Sequence, residues 1–433
     1  MLIRFEVSNY RSILEPVELS MVAVDRDRVE AREAASLGES LLTVAALYGP
    51  NASGKSNIVA AFTWLRDAVQ HSLRTWDDEI PVEPFAFGDG PGRPSEFIVE
   101  LLVDGIRFEY VLEVHRRAVH YEGLFHYPEK RRRRVFERES GELKLQRGLG
   151  GIAGTRELMT DRTLVLTAAR RFREPLVSKF AGELLRTLAM SPGQRLPEVI
   201  EMAVPYRALR STVRWFEYLS ESDQEALFDV ASPGAPPGPD REQALALLRI
   251  ADLGIDDVLI DEGEKTLQRS AETGASRPPK RVRLVHRAAT EKVPLDFRAE
   301  SEGTRTWFRL IGPVLTALRS GSLLLLDELD ASLHPTLSAQ LLGLFHNPAT
   351  NPRGAQLVFT AHDTSLLNHL NRDEVWLTEK SDSGATRLGA LAEFAGERVR
   401  RSQNLERAYL HGRFGALPDV DQAELLRALG LIG

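Results

Sequence analysis

Cysteine is absent from this 433-residue chain. That excludes disulfides, thiolate nucleophiles and the cysteine-bound zinc and iron–sulfur sites, and it fits a reducing compartment. Long apolar runs are missing too: the longest uncharged ones, such as residues 322–326, are far too short to cross a bilayer. The opening MLIRFEVSNYRSI alternates polar and apolar residues like a strand, without the apolar core and cleavage site of a secretory signal. These features point to a cytoplasmic protein with no membrane partner. Positive charge is not in excess either, since the net charge is −7. Two local basic regions stand against that average: residues 131–134, and the set Arg398, Arg400, Arg401, Arg407 and Arg413. A solvated surface accounts for both, and a contact to a phosphate backbone is the other reading. Internal repeats and coiled-coil heptads are also lacking.

What is present is an ordinary globular composition, 43% hydrophobic and 27% charged. The length suits two or three domains, or one large domain with an insertion. Residues 1–10 and 43–48 read as strands, followed by a helix with Ile58, Ala61, Phe62, Leu65 and Ala68 on one face. From 80 to about 147 the period becomes two, as in FIVELLVDG, IRFEYVLEV and AVHYEGLFHY, which predicts an antiparallel meander. Residues 155 to about 250 read as mostly helical, including REPLVSKFAGELLRTLAM at 173–190. Segments 232–240 and 272–280 read as loops by composition. After 300 the pattern is helix, strand, helix, strand at 304–319, 322–327, 335–346 and 356–360. Such alternation predicts a parallel sheet with helical crossovers.

The stretch GPNASGKS, residues 49–56, matches GxxxxGK[ST] in full, with an apolar strand before it and an amphipathic helix after it. Glycines there let the backbone wrap an anion at a helix start. The pattern predicts a nucleotide phosphate site made of Gly49, Asn51, Ser53, Gly54, Lys55, Ser56 and Asn57. Lys55 would reach the β- and γ-phosphates, and the Ser56 hydroxyl would meet Mg²⁺.

A second half of such a site follows from LLLLDE at 323–328. Four apolar residues predict a buried central strand whose end delivers Asp327 and Glu328 to the carboxyl edge of the sheet. Asp327 would hold Mg²⁺ with Ser56, and Glu328 would polarise the attacking water. The strand QLVFT ends at His362, within plausible reach of the γ-phosphate or that water. His334, just before Pro335, reads as a helix-start residue. ESEGTRTWFRL, from residue 300, resembles a further helix N-terminus prepared for an anion, with Ser301, Gly303 and Thr304 at its start.

Together these motifs resemble an ABC-type ATPase head, a group that includes SMC, RecF and overcoming-lysogenization-defect ATPases. FEVSNYRSI, IADLGIDDV, ESEGTRTWFRL, DELDASLHPTL, QLVFTAHD and NLERAYLHGRFGALPDV resemble the AAA-family ATPases of abortive infection and phage defence, of the AbiL, RloA and AriA kind. The fold that the resemblance implies is α/β: a P-loop head with a parallel core sheet, an antiparallel meander and a mainly helical insertion. Residues 1–150 would form an N-terminal ATPase lobe, 151–250 the helical insertion and 251–433 a C-terminal ATPase lobe. The resemblance further implies ATP and Mg²⁺ as cofactors and a homodimer, or higher oligomer, that sandwiches ATP. Ser301, Gly303 and Thr304 would then make the signature contact, His362 the switch, and Asp330 the loop communicating across the interface. Arg11 would lie beside the phosphates. The single signature glycine and the lack of an assignable Q-loop glutamine depart from the transporter pattern. No nuclease-like domain is recognisable near the end of the chain, so a separate nuclease-like effector is the expected partner, with DNA as an alternative one in a repair role.

Overall fold

A computed structural model describes residues 1–146, 154, 157–172, 174–191, 205–217, 240–251, 254–262, 280–289, 291–331, 333–395 and 405–411. The chain forms two compact units, one of residues 1–187 with 356–433 and the other of residues 188–355.

The first unit opens with β1 (Leu2–Ser8) and β2 (Val17–Ser20) and a small hairpin of β3 (Ala31–Ala34) and β4 (Glu39–Leu42). Then comes β5 (Val44–Tyr48), buried along its whole length as a strand covered on both faces must be. Helix α1 (Lys55–Thr75) buries Ile58, Ala61, Phe62, Leu65 and Ala68 along one stripe, and Phe62 meets Phe5 of β1 with ring centroids 4.9 Å apart. The expected meander follows as β6 (Ser95–Val103), β7 (Ile106–His115), β8 (Ala118–His126), β9 (Arg133–Glu139) and β10 (Glu142–Leu145). It is larger than the period-two signal alone indicated. β6 also pairs with β1, giving the antiparallel order β10-β9-β8-β7-β6-β1-β2. Helices α2 (Val165–Ala169) and α3 (Pro175–Leu185) complete this part.

The second unit departs from the helical reading at its start. Residues Leu188–Met190 form a strand, β11, rather than the end of a helix. Two helices follow, α4 (Pro205–Glu217) and α5 (Arg241–Ala251), then an antiparallel sheet of β12 (Ile255–Glu262), β13 (Lys280–Ala288) and β14 (Glu291–Asp296). The expected loop at 232–240 lies, apart from residue 240, outside the described residues, as does 272–280 apart from residue 280. Helix α6 (Glu302–Ser320) carries Pro313 in its interior. Proline has no N–H, so the carbonyl four residues back loses its helical partner. That carbonyl, on Arg309, instead accepts from the Thr212 hydroxyl of α4 at 3.3 Å, and the Gly312 N–H donates to that hydroxyl at 2.9 Å. A Cβ on Gly312 would stand 2.4 Å from the Thr212 nitrogen, so glycine lets the two helices meet there. Next, β15 (Leu323–Leu326) pairs in parallel with β11 and is wholly buried, and α7 (Pro335–His346) ends the unit's regular structure.

The chain then returns to the first unit with β16 (Gln356–Thr360), β17 (Val375–Lys380) and β18 (Thr386–Ala390), followed by short helices α8 (Leu391–Ala395) and α9 (Leu405–Leu410). β16 and β17 flank β5 on either side, both parallel to it, and β18 pairs antiparallel with β17. The parallel arrangement puts the carboxyl ends of β5, β16 and β17 side by side. An α/β fold with a parallel core and an antiparallel meander is thus established.

Candidate nucleotide site

The phosphate loop leaves the carboxyl end of β5. Gly49 has φ +151° and Gly54 φ +107°, backbone that L side chains rarely adopt. Space forbids a side chain there as well. A Cβ on Gly49 would lie 2.3 Å from the Thr378 carbonyl oxygen, and one on Gly54 2.0 Å from the Thr386 hydroxyl. Both glycines are thus required by conformation and by the close approach of β17 and β18.

Helix α1 begins at Lys55 with no side-chain cap and no acidic residue in its first turn. Leaving that end clear of carboxylates preserves its positive potential for an anion. The Lys55 side chain is 5% exposed and folds back over the loop, donating from Nζ to the carbonyls of Gly49 at 2.7 Å and Pro50 at 3.1 Å. An ammonium that donates to carbonyls of the loop stands where an anion bound by the loop could take their place. Asn51 and Ser56 are exposed, and Ser53 is buried. These residues fit a nucleotide's phosphates.

The loop's surroundings come from far along the sequence. The Thr378 hydroxyl donates to the Tyr48 carbonyl at 3.1 Å and meets the Ser53 hydroxyl at 2.5 Å. The Thr386 hydroxyl donates to the Ser53 carbonyl at 2.8 Å and meets the Ser12 hydroxyl at 2.7 Å. Ser12 in turn accepts from the Asn57 amide at 2.6 Å. The Asn57 side chain therefore sits in this outer network. Arg11, beside Ser12, has φ +51° and directs its guanidinium to the Glu83 carboxylate at 2.9 Å, with the Tyr10 ring under it. Burial is the largest influence on that guanidinium and opposes its charge, but the Glu83 hydrogen bond leads the opposing effects and its pKa is raised overall. Sequence reasoning missed Ser12, Thr378 and Thr386; no local pattern marks them.

His362 follows β16, whose neighbour in the sheet is β5. The Ala361 N–H donates to the Leu47 carbonyl at 3.2 Å, and the Tyr48 hydroxyl donates to the Asp363 carbonyl at 3.2 Å. These two bonds bracket His362 and hold its backbone at the edge from which the phosphate loop departs. The Asp363 carboxylate caps the next turn by accepting from the Ser365 N–H at 2.9 Å. Tyr409 of α9 is buried against Tyr48, with ring centroids 6.3 Å apart.

In the second unit, Asp327 is half-buried and Glu328 exposed, directly after buried β15. The Asp327 N–H donates to the Met190 carbonyl of β11 at 2.8 Å. Glu328 has φ +58°, a left-handed conformation unusual for a residue with a Cβ. Asp330 is half-buried, and its carbonyl accepts from the Leu333 N–H at 3.4 Å. His334 caps α7, its Nδ1 accepting from the Thr336 N–H at 3.2 Å, as the residue before Pro335 was expected to do. Ser301 caps α6: its hydroxyl accepts from the Thr304 N–H at 3.1 Å and lies 2.8 Å from the Thr304 hydroxyl. Ser301 is exposed and Gly303 half-buried, so this helix end faces solvent.

Of the basic run, Arg132 pairs with Glu109 and Arg134 with Glu137, each at 2.9 Å. Of the second basic set, Arg398, Arg400, Arg401 and Arg413 lie outside the described residues, as does most of the tail motif. Among the described residues, no helix is long and apolar enough to cross a membrane.

Comparison with known proteins adds to this geometry. The family described as "AAA domain, putative AbiEii toxin, Type IV TA system" matches residues 44–156 and 169–368, well over half of the chain. No curated protein matches it. Among solved structures, "Crystal structure of the SmcHead bound to the C-winged helix domain of ScpA" aligns with 90% of this chain and 97% of that one, at 12% identity and a TM-score of 0.45.

Proposed function

The chain belongs to that family of AAA domains, and from this premise we propose that it binds and hydrolyses ATP and dimerises around it. The observation that carries the reading is the glycine loop at the end of β5 with the buried Lys55 ammonium folded over it. In this reading the loop N–H groups and the α1 N-terminus receive the phosphates, and Lys55 leaves its carbonyls for the β- and γ-phosphate oxygens. Ser56 and Asp327 are the proposed ligands of Mg²⁺, which when bound neutralises charge on the transferring phosphoryl group. Glu328 orients the attacking water, and His362 steadies the γ-phosphate. Ser301, Gly303 and Thr304, at the exposed start of α6, close over the nucleotide of a second copy, with Asp330 in the loop that communicates across the interface. Arg11 would reach the phosphates only after leaving Glu83.

The biological setting we propose is abortive infection against phage, which the AbiEii in the family's description suggests. The proposed role is a cytoplasmic sensor ATPase that controls a separate effector. Phosphate release measured with Mg²⁺ and ATP tests the chemistry. Wild type should turn over, Lys55→Ala should lose nucleotide binding, and Glu328→Gln should bind ATP without hydrolysing it. Full turnover by Glu328→Gln would reject the assigned role of that carboxylate.

A further inference from the structure

The hydroxyl groups behind the phosphate loop form chains with a fixed direction. A hydroxyl has one proton to give. Thr386 gives its proton to the Ser53 carbonyl, so Ser12 must donate to Thr386, and the Asn57 amide donates to Ser12. Thr378 gives its proton to the Tyr48 carbonyl, so Ser53 must donate to Thr378. One chain ends on a carbonyl of the loop, that of Ser53, and the other on the carbonyl of Tyr48 just before it. Ser53, Thr378 and Thr386 are at most 2% exposed, so water does not compete for their bonds.

The peptide planes turn this into a prediction about phosphate binding. Every described peptide bond is trans, so the C=O of one residue and the N–H of the next point to opposite sides. A Ser53 carbonyl held toward β18 turns the Gly54 N–H away from β18. A Tyr48 carbonyl held toward β17 likewise turns the Gly49 N–H away from β17. The Tyr48 carbonyl also lies in the parallel ladder between β5 and β17, whereas without the Thr386 hydroxyl the glycine at 54 would let the Ser53–Gly54 peptide flip at little cost. We infer that Thr386 is a positioning residue for nucleotide phosphates, which anchors the Ser53 carbonyl outward so that the Gly54 N–H group faces the anion. The inference rests on the nucleotide reading of the loop and names a residue, some 330 positions away from it, that sets its affinity.

Equilibrium titration of full-length protein with fluorescent ATP and ADP analogues tests it, using wild type, Thr386→Val and Thr386→Ser. Valine keeps the shape and removes the hydroxyl, whereas serine keeps the hydroxyl. Thr386→Val should weaken both nucleotides about tenfold, the effect of one charge-linked hydrogen bond. Thr386→Ser should restore binding to within about twofold of wild type. A purely structural threonine would lower the nucleotide-free Tm in step with affinity; here the loss of affinity should follow the hydroxyl instead. Thr386→Ala, beside Thr386→Ser, gives the same comparison if Thr386→Val does not fold. Wild-type affinity in a folded variant that lacks the Thr386 hydroxyl would overturn the inference alone. Wild type binding neither nucleotide would overturn the nucleotide reading, and the inference with it.

Discussion

The Tyr48 hydroxyl donates to the carbonyl of Asp363, 3.2 Å away, and so joins the residue before the phosphate loop to the residue after His362. The tyrosine is 1% exposed, and its ring also packs on Tyr409. Removing only the oxygen leaves that packing in place. Tyr48→Phe should therefore lower kcat for ATP hydrolysis about three- to tenfold while changing KM little, because the histidine turn loses a tether and the loop keeps its own. A steady-state series in ATP concentration checks it; a rise in KM alone would place the effect on binding.

Glu328 holds a left-handed conformation that costs a residue with a Cβ about 1–2 kcal/mol. Strain of this kind at the end of a buried strand is maintained by the surrounding packing. Glu328→Gly should be as stable as wild type or slightly more so, the relief being partly offset by unfolded-state entropy. Glu328→Val should be about 1–2 kcal/mol less stable than the glycine variant, since β-branched residues tolerate this region worst. Urea denaturation of the three proteins reads the order directly.

Helix and strand periods made the core visible in the sequence. The apolar runs of β5, β15 and β16, the stripe on α1 and the glycine–lysine loop each carry their signal within a few consecutive residues. β11 was hidden because Leu188, Ala189 and Met190 continue a helical run and only pairing with β15 makes them a strand. β17 and β18 lie beyond the alternating helix–strand pattern, although they supply Thr378 and Thr386. Isolated threonines carry no spacing signal, and their role depends on β17 lying beside β5. Ser12 carries no signal of its own beside the conspicuous Arg11. The structure pairs that arginine with Glu83 and leaves Ser12 next to the loop's outer support.

Buried Glu122 gives a pH dependence. It accepts from the Tyr110 hydroxyl at 2.9 Å and from the Val165 and Leu166 N–H groups at 2.5 and 2.8 Å, fastening α2 to β8. Burial pushes its carboxyl up from 4.5 to about 6, against the lowering effect of those donors. The folded state therefore holds this proton more tightly than the unfolded chain does. The proton's contribution to stability is fully present below pH 4.5 and is lost as pH rises through about 6. The Tm difference between wild type and Glu122→Gln should favour wild type most near the acidic end of that window and shrink toward neutral pH. A difference that grows with pH would mean the carboxylate is stabilised as an anion.

Ser301 separates a capping role from an interface role. Ser301→Ala removes the oxygen that accepts from the Thr304 N–H and should cost about 1 kcal/mol of stability. Ser301→Asp retains a cap, so its Tm should stay near that of wild type, yet it places a negative charge where a second chain's phosphate is expected. Loss of ATP-driven dimerisation in Ser301→Asp with normal Tm would assign the residue to the interface. Normal dimerisation in both variants would confine it to capping.

The most direct measurement is sedimentation of full-length Glu328→Gln with and without Mg²⁺ and ATP, beside the double variant Glu328→Gln, Ser301→Arg. Glu328→Gln should shift from monomer to dimer only when ATP is present, and the double variant should bind ATP while remaining a monomer. A Glu328→Gln protein whose assembly state ignores ATP would contradict the proposed ATP-clamped dimer.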